Sequence, residues 1–265
     1  MEDSAKYRTR RAFFDRVLTI YGRKPVLEVL HNHSLDCHAL HLANSNRKDG
    51  IISEIRQLAE ARKIPLQEHS REALARISRN GRQDQGVAVD VLCPAFHAVE
   101  DGLTQLPLRA RLLALDGITN PQNLGMILRS AAAGAIDGII YARRGNAALG
   151  PLVIKASAGT LYRAPLLFCT SLPEALTACH NRGMAICVLA ADSSQSLFDY
   201  AMSTADHNSG SVFVLGNESE GVSQAVRKIA NHRLAIPMRN GVESLNVAVT
   251  ASLIAFAGQL GNRQA

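Results

Sequence analysis

Hydrophobic and polar positions divide the chain into short segments of two kinds. Val17–Tyr21, Cys37–Leu42 and Val87–Leu92 are apolar runs that fit short strands. Gly22 supplies a turn after the first, and Pro25 suits the first turn of a helix through Leu30. Asp49 or Ser53 fits the cap of a second helix, where Ile51, Ile52, Ile55, Leu58 and Ala59 recur near the helical period. Glu72–Ile77 adds a short third helix. These segments predict a small α/β domain over 17–93. The stretch from Pro94 to Pro107 mixes Pro, Gly, acids and His without clean periodicity, which predicts a linker over 94–108.

From 109 to 265 the two kinds alternate. Strand segments fall at Arg111–Leu115, Gly138–Tyr141, Leu166–Phe168, Ala185–Ala190, Ser211–Leu215 and Arg233–Ile236. Helical ones fall at 123–134, 151–158, 173–181, 222–230 and from Asn246 to about Leu260. Such alternation predicts a parallel sheet with helices on both faces, an α/β fold.

Composition adds limits. With 47% hydrophobic residues the chain has ample material for packed cores. A net charge of +6 and a pI near 9.3 are compatible with nucleic acid without demanding it. Much of the excess sits at the front, where Lys6, Arg8, Arg10, Arg11, Arg16, Arg23 and Lys24 face only Glu2, Asp3 and Asp15; residues 1–16 read as a basic arm. The five cysteines form no CxxC pair, are odd in number and lie mostly in apolar stretches, so buried thiols in a reducing compartment are expected. The histidines show no ligand-like spacing with them, and no metal site is expected. No apolar run approaches the roughly 20 residues that span a bilayer, and no hydrophobic segment follows the charged start. The expectation is a soluble, cytoplasmic protein without membrane partners.

Three segments join a strand end to a helix start, where open α/β sheets bind ligands: 115–130, 214–221 and 236–247. Gly216 and Gly221 have the spacing of a phosphate-binding loop, but Val222 stands where its lysine belongs, and Glu218 and Glu220 would repel a triphosphate. No GxGxxG follows any strand, which excludes a dinucleotide fingerprint. A ligand with cationic groups suits the acids better, and S-adenosylmethionine carries a sulfonium and an ammonium. Each segment alone has a plain structural reading: Asn120-Pro121 as a turn, Ser244 or Asn246 as a helix cap, and Arg129 as a surface cation.

Together they resemble, in order and nearly letter for letter, the motifs of the SpoU (TrmH-type) RNA ribose methyltransferases of the SPOUT class. The first motif matches Asn123-Leu124-Gly125 with Arg129, the second Leu215-Gly216-Asn217-Glu218-Ser219-Glu220-Gly221, and the third Ile236-Pro237-Met238 with Ser244-Leu245-Asn246-Val247. Lys155-Ala-Ser-Ala-Gly159 is similar to the family's intervening segment. Asn120 departs from the pattern, in which an acid commonly precedes the proline. Tyr21–Val26 and Gln85–Ala88 resemble the start and end of the family's substrate-binding domain.

The resemblance implies a knotted (trefoil) parallel-sheet methyltransferase domain over 109–265. It also implies a smaller N-terminal RNA-binding domain over 17–93, similar in fold to ribosomal RNA-binding proteins. It implies S-adenosylmethionine as cofactor, held largely by backbone groups around Leu215, Gly216, Asn217, Gly221, Ile236, Met238 and Leu245. Homodimers through the C-terminal domain are implied, and no metal. Displacement of a methyl group by a ribose hydroxyl requires alignment and stabilisation of the developing alkoxide. Arg129 is the candidate for that task, since its guanidinium stays protonated. Asn123, Ser244 and Asn246 would orient the reacting groups. A phosphate, a water or Glu218 would take the proton, and these alternatives stay open.

Structured RNA is the implied substrate, with rRNA ahead of tRNA. A non-catalytic assembly factor is the rival, against which Arg129, Glu218, Ser244 and Asn246 all count. With no Trp and 5% aromatic residues, base stacking on a sheet is not expected. Phosphate contacts fall to the basic arm, Arg47-Lys48, Arg62-Lys63, the Arg71–Arg82 stretch and Arg143-Arg144.

Overall fold

A computed structural model describes residues 13–47, 50–203 and 209–260. Residues 1–12 of the expected basic arm, Lys48 as a phosphate contact and Asp49 as a helix cap lie outside the described residues. The chain forms two compact units: one up to Pro94 together with Leu149–Pro151, the other of Ala95–Ala148 and Leu152 onward.

The first unit is built on a four-stranded sheet packed with helices. Its elements are β1 (Val17–Tyr21), α1 (Arg23–His31), β2 (Asp36–Ala43), α2 (Gly50–Ala61), β3 (Leu66–His69), α3 (Arg71–Ser78) and β4 (Val87–Leu92). The strand order is β1-β4-β2-β3, with β4 antiparallel to both neighbours and β3 parallel to β2. Ile20, Leu40, Leu42, Ile52, Ile55 and Val89 are fully buried and form its interior. Strand β3 has no sequence signal because it is a polar, mostly exposed edge of four residues. Ser70 caps α3 by accepting from Ala73 N at 3.2 Å. Arg62 is no free phosphate contact: its guanidinium donates to the carbonyls of Val29, Leu30 and Leu35 around the end of α1.

One polar rung crosses this sheet. Thr19 Oγ1 donates to Asp90 Oδ1 at 2.6 Å, and His41 Nε2 lies 3.1 Å from Asp90 Oδ2. Since the carboxylate only accepts, Nε2 of His41 is the donor there, and His41 Nδ1 lies 3.0 Å from His69 Nε2. Burial pushes the Asp90 carboxyl up, but the hydrogen bonds from His41 and Thr19 outweigh it and hold its pKa below the ordinary value. Burial, then repulsion from His41, lowers the pKa of His69. Both shifts give stability that is present at neutral pH and lost on acidification, His69 first, below about pH 6.5, and Asp90 below about pH 4. Asp90→Ala leaves His41 and Thr19 without their acceptor. Urea unfolding at pH 7 should show a loss of about 1–3 kcal/mol, with the acid-side slope below pH 4 flattened.

The second unit holds β5 (His97–Ala98), α4 (Val99–Gln105), β6 (Arg111–Leu115), α5 (Pro121–Ala133), β7 (Gly138–Ala142), α6 (Pro151–Ala156) and β8 (Leu166–Cys169). It continues with α7 (Leu172–Asn181), β9 (Ala185–Leu189), α8 (Leu197–Ser203), β10 (Ser211–Leu215), α9 (Gln224–Ile229), β11 (His232–Leu234) and α10 (Val247–Leu260). Seven strands, all parallel, lie in the order β11-β9-β10-β6-β7-β8-β5. The expected linker over 94–108 is corrected here. It carries β5, which pairs with β8, and α4, whose Val99 and Leu103 are buried in the sheet's core. Two residues of strand and one apolar pair were too little pattern to read.

Strands β6, β7 and β8 step outward one way, and β10, β9 and β11 lie on the other side of β6. After the edge strand β11 the chain travels back to the middle, where α10 packs along α5 and α8. That return carries residues 235–246 past the ends of β9 and β10.

Candidate active site

Because every strand of the large sheet is parallel, the loops leaving β6, β9, β10 and β11 gather along one edge. Three of them, at 189–196, 214–222 and 235–247, enclose an open cleft of about 1170 Å³. Leu215, Gly216, Asn217, Gly221, Ile236, Met238 and Leu245 all line it, as do Glu218, Ser244 and Asn246. Asn123 and Arg129 do not. The wall from Leu189 to Ser196 had no signal in the sequence, being a run of small residues after a strand.

The loop after β10 is closed by its own backbone. Asn217 and Gly221 exchange N–H to carbonyl bonds of 2.9 and 2.8 Å, and Gly221 sits at φ +69°. Gly216 has no room for a side chain, since a Cβ would stand 2.3 Å from the Gly221 carbonyl carbon. The Asn217 amide is committed within the protein: Oδ1 accepts from Ser219 N and Glu220 N, and Nδ2 donates to Gly117 O at 2.9 Å. Asn217 therefore braces two loops with its side chain, while its backbone N–H and carbonyl are paired with Gly221.

Helix α5 starts as its residues dictate. Asn120 Oδ1 accepts from Gln122 N and Asn123 N at 2.8 and 3.3 Å, and Pro121 takes the first turn. A neutral amide thus caps where the family commonly has an acid. Gly125 lets α6 approach directly, since a Cβ there would meet Ala156 Cβ at 2.5 Å and Val153 O at 2.7 Å.

That first turn ties the three motifs together. Asn123, 6% exposed, donates through Nδ2 to Glu218 Oε1 and accepts at Oδ1 from Asn246 Nδ2 at 3.2 Å. Asn246 Oδ1 accepts from Ala248 N at 2.8 Å, so it is also the cap of α10. The structural and functional readings of Asn246 are both met, because the cap fixes one end of the amide and turns the other toward Asn123.

Arg129, further along α5, is exposed and does not line the cleft. Met126, one turn earlier, is exposed as well. Ser157, from the Lys155–Gly159 segment, is fully buried and donates to Ile154 O, a structural role. Arg143 stacks over the Phe168 ring at 4.5 Å. No thiol lines the cleft, and burial pushes Cys93 and Cys169 up to about 12, which leaves them inert at neutral pH.

The lining carries two carboxylates, Glu218 and Glu243, and no Lys, Arg or His among the described residues. Polyphosphate ligands are poorly served by such a wall, whereas a sulfonium and an ammonium are well served. The volume exceeds the roughly 300–1,000 Å³ of ordinary small-molecule sites, leaving room for a nucleoside beside a cofactor.

Comparison with known proteins agrees with this arrangement. Residues 110–256 match the model of the SpoU rRNA Methylase family, and residues 19–92 match the RNA 2′-O ribose methyltransferase substrate-binding model. A Mycobacterium ulcerans protein named as a tRNA/rRNA methyltransferase is 33% identical over 93% of this chain and 78% of its own. Among solved structures, the SpoU methyltransferase AviRb from Streptomyces viridochromogenes, in complex with the cofactor AdoMet, superposes with a TM-score of 0.63. It is 20% identical, over 99% of this chain and 95% of that one. A TrmH-family putative RNA methyltransferase from Porphyromonas gingivalis gives 0.58 at 23% identity, over 96% and 92%. With its motifs bridged at one cleft and its sequence matched across both units, the chain belongs to the SpoU rRNA methylase family.

Proposed function

We propose that this RNA methyltransferase moves a methyl group from S-adenosylmethionine to a ribose 2′-hydroxyl of ribosomal RNA, in the cytoplasm and as a homodimer. The observation that carries the reading is the Glu218–Asn123–Asn246 bridge, which ties all three motif loops together beside a cleft whose lining carries acids and no cations among the described residues. Backbone groups around Leu215, Gly216, Ile236, Met238 and Leu245 hold the cofactor, with Gly221 shaping the loop. When bound, the cofactor supplies a methyl carbon made electrophilic by the sulfonium. Glu218 is occupied through Oε1 by Asn123, so Oε2 is the oxygen left to accept a proton. Arg129 stabilises the ribose oxygen as its charge develops, and Ser244 orients the reacting groups. The first unit holds the RNA, and the return path over 235–246 closes the trefoil.

The dimer reading rests on α10. Val249, Leu253 and Phe256 recur at helical spacing; Val249 and Phe256 are 48% and 44% exposed. Asn123–Asn246, Ser130–Ser252 and Ala135–Ala255 contacts follow in the same order, so α5 and α10 run parallel and Met126 lies level with Val249. An apolar strip shared by two helices calls for a cover, and Arg129 stands beside it. A second copy seated there would bring Arg129 to a cleft shared between subunits. Val249→Glu combined with Phe256→Glu should give a monomer by sedimentation and reduce transfer at least tenfold. A monomeric wild type would end the dimer reading.

The test of the activity is incubation with labelled cofactor and total RNA, followed by mapping of 2′-O-methyl positions. Label in rRNA at a 2′-oxygen is expected. Label confined to tRNA would move the substrate, and cofactor binding without transfer to any RNA would favour the assembly factor.

A further inference from the structure

We infer that Asn146 is a positioning residue for methyl transfer, clipping the loop that aims Asn123; this rests on the activity proposed above. Asn146 lies in the turn between β7 and α6, half-buried, and outside the three motifs. An asparagine side chain has one acceptor oxygen and two donor hydrogens, and here each is used on backbone. Oδ1 accepts from Ile118 N at 2.7 Å, while Nδ2 donates to Leu115 O at 3.1 Å and Ala142 O at 2.9 Å. The ladder between β6 and β7 stops at Leu115 and Tyr141. Beyond it, the side-chain amide acts as one more peptide group, spanning the gap where the strands part.

The turn itself is held in place. Tyr141 Oη donates to Ala147 O at 2.7 Å, and Ala147 N donates to Ile118 O at 2.8 Å. What it clips is the loop 116–120, which leads into the Asn120 cap and the first turn of α5. On the other side, Asn217 Nδ2 holds Gly117 O, and Ser223 N donates to Asp116 Oδ2 at 2.6 Å. The loop that presents Asn123 to Glu218 is thus braced from β10 and from β7, and Asn146 supplies the side-chain part of the β7 brace. Asn146 does not line the cleft, so its loss misaligns the bridge without removing a cofactor contact.

The test uses full-length N146A and N146D. Misplacement of a reacting group costs up to about a hundredfold in rate, so kcat of N146A on rRNA should fall about ten- to a hundredfold. The cofactor Kd by calorimetry should stay within about twofold, because every lining residue is intact. In N146D a carboxylate oxygen faces two carbonyls near 3 Å, an arrangement that protonation relieves. The ratio of N146D to wild-type kcat should therefore rise as pH falls from 8 to 5, while that of N146A stays flat. Hydrogen exchange should quicken at 115–124 and not at 211–222. Unchanged exchange at 115–124 would overturn the inference even if wild type methylated no RNA, a result that would separately end the proposed activity. A Kd loss as large as the kcat loss would also overturn it, by making Asn146 a general structural residue.

Discussion

Arg129→Ala is expected to lower methyl transfer by about 10²–10³-fold, the usual cost of removing a preorganised stabiliser of developing charge. Cofactor affinity should remain within about twofold, since Arg129 is exposed on α5 and lines none of the cleft. On the proposed activity, a permanent cation at the ribose oxygen would stabilise its developing charge, and the cleft wall itself carries only the carboxylates of Glu218 and Glu243 as charged groups among the described residues. Arg129 shares its helix with Asn123, so the clip on loop 116–120 and the cap at Asn120 aim both. Arg129→Lys keeps the charge and loses the planar fork, and should recover only part of the rate. Single-turnover transfer from labelled cofactor, paired with calorimetry, separates the two quantities. Wild-type turnover in Arg129→Ala would remove the residue from the chemistry, and a parallel loss of cofactor binding would make it a ligand of the cofactor instead.

The position of Arg129 also marks how far the sequence could be read. Strands β6 and β10 were legible because they are short apolar runs buried on both faces between turn signals, as parallel strands must be. Strand β3 and helix α8 escaped: the first is a polar edge, and the second follows a serine-rich loop without a long apolar stripe. The second and third motifs named residues of the cleft, since a parallel sheet brings its loop ends to one edge whatever their separation along the chain, whereas Asn123 and Arg129 of the first lie outside its lining. Partnership was another matter. Asn123 and Glu218 are 95 positions apart, and no local pattern couples them. Asn217 stood in the second motif among residues expected to hold the cofactor largely through backbone, and nothing in the sequence told that its amide is spent on Gly117 and its own turn. Asn146 had no signal at all, for an asparagine after Arg-Arg-Gly reads as one more turn residue until the carbonyls around it are known.

Gly216→Ala is the second large effect, and here the expectation follows from distances alone. The added Cβ would lie 2.3 Å from the Gly221 carbonyl carbon, 2.4 Å from Val222 N and 2.6 Å from Gly221 O. These are backbone atoms, so no side-chain rotation relieves the contact. The loop must open, which strains the Asn217–Gly221 pair of hydrogen bonds and shifts Glu218 away from Asn123. Overpacking of this kind costs about 1–3 kcal/mol, and if it falls on the cofactor-bound loop, affinity drops roughly 5- to 150-fold. Gly221→Ala is the contrast. Its φ of +69° is strained for alanine, about 1–2 kcal/mol, but the new Cβ meets only the end of the Arg227 side chain at 3.4 Å. Calorimetric titration of the cofactor into both variants should find Gly216→Ala the weaker binder, while thermal melts show both folded. Equal affinities would mean that the loop relaxes as a whole and that close approach at Gly216 does not shape the cleft.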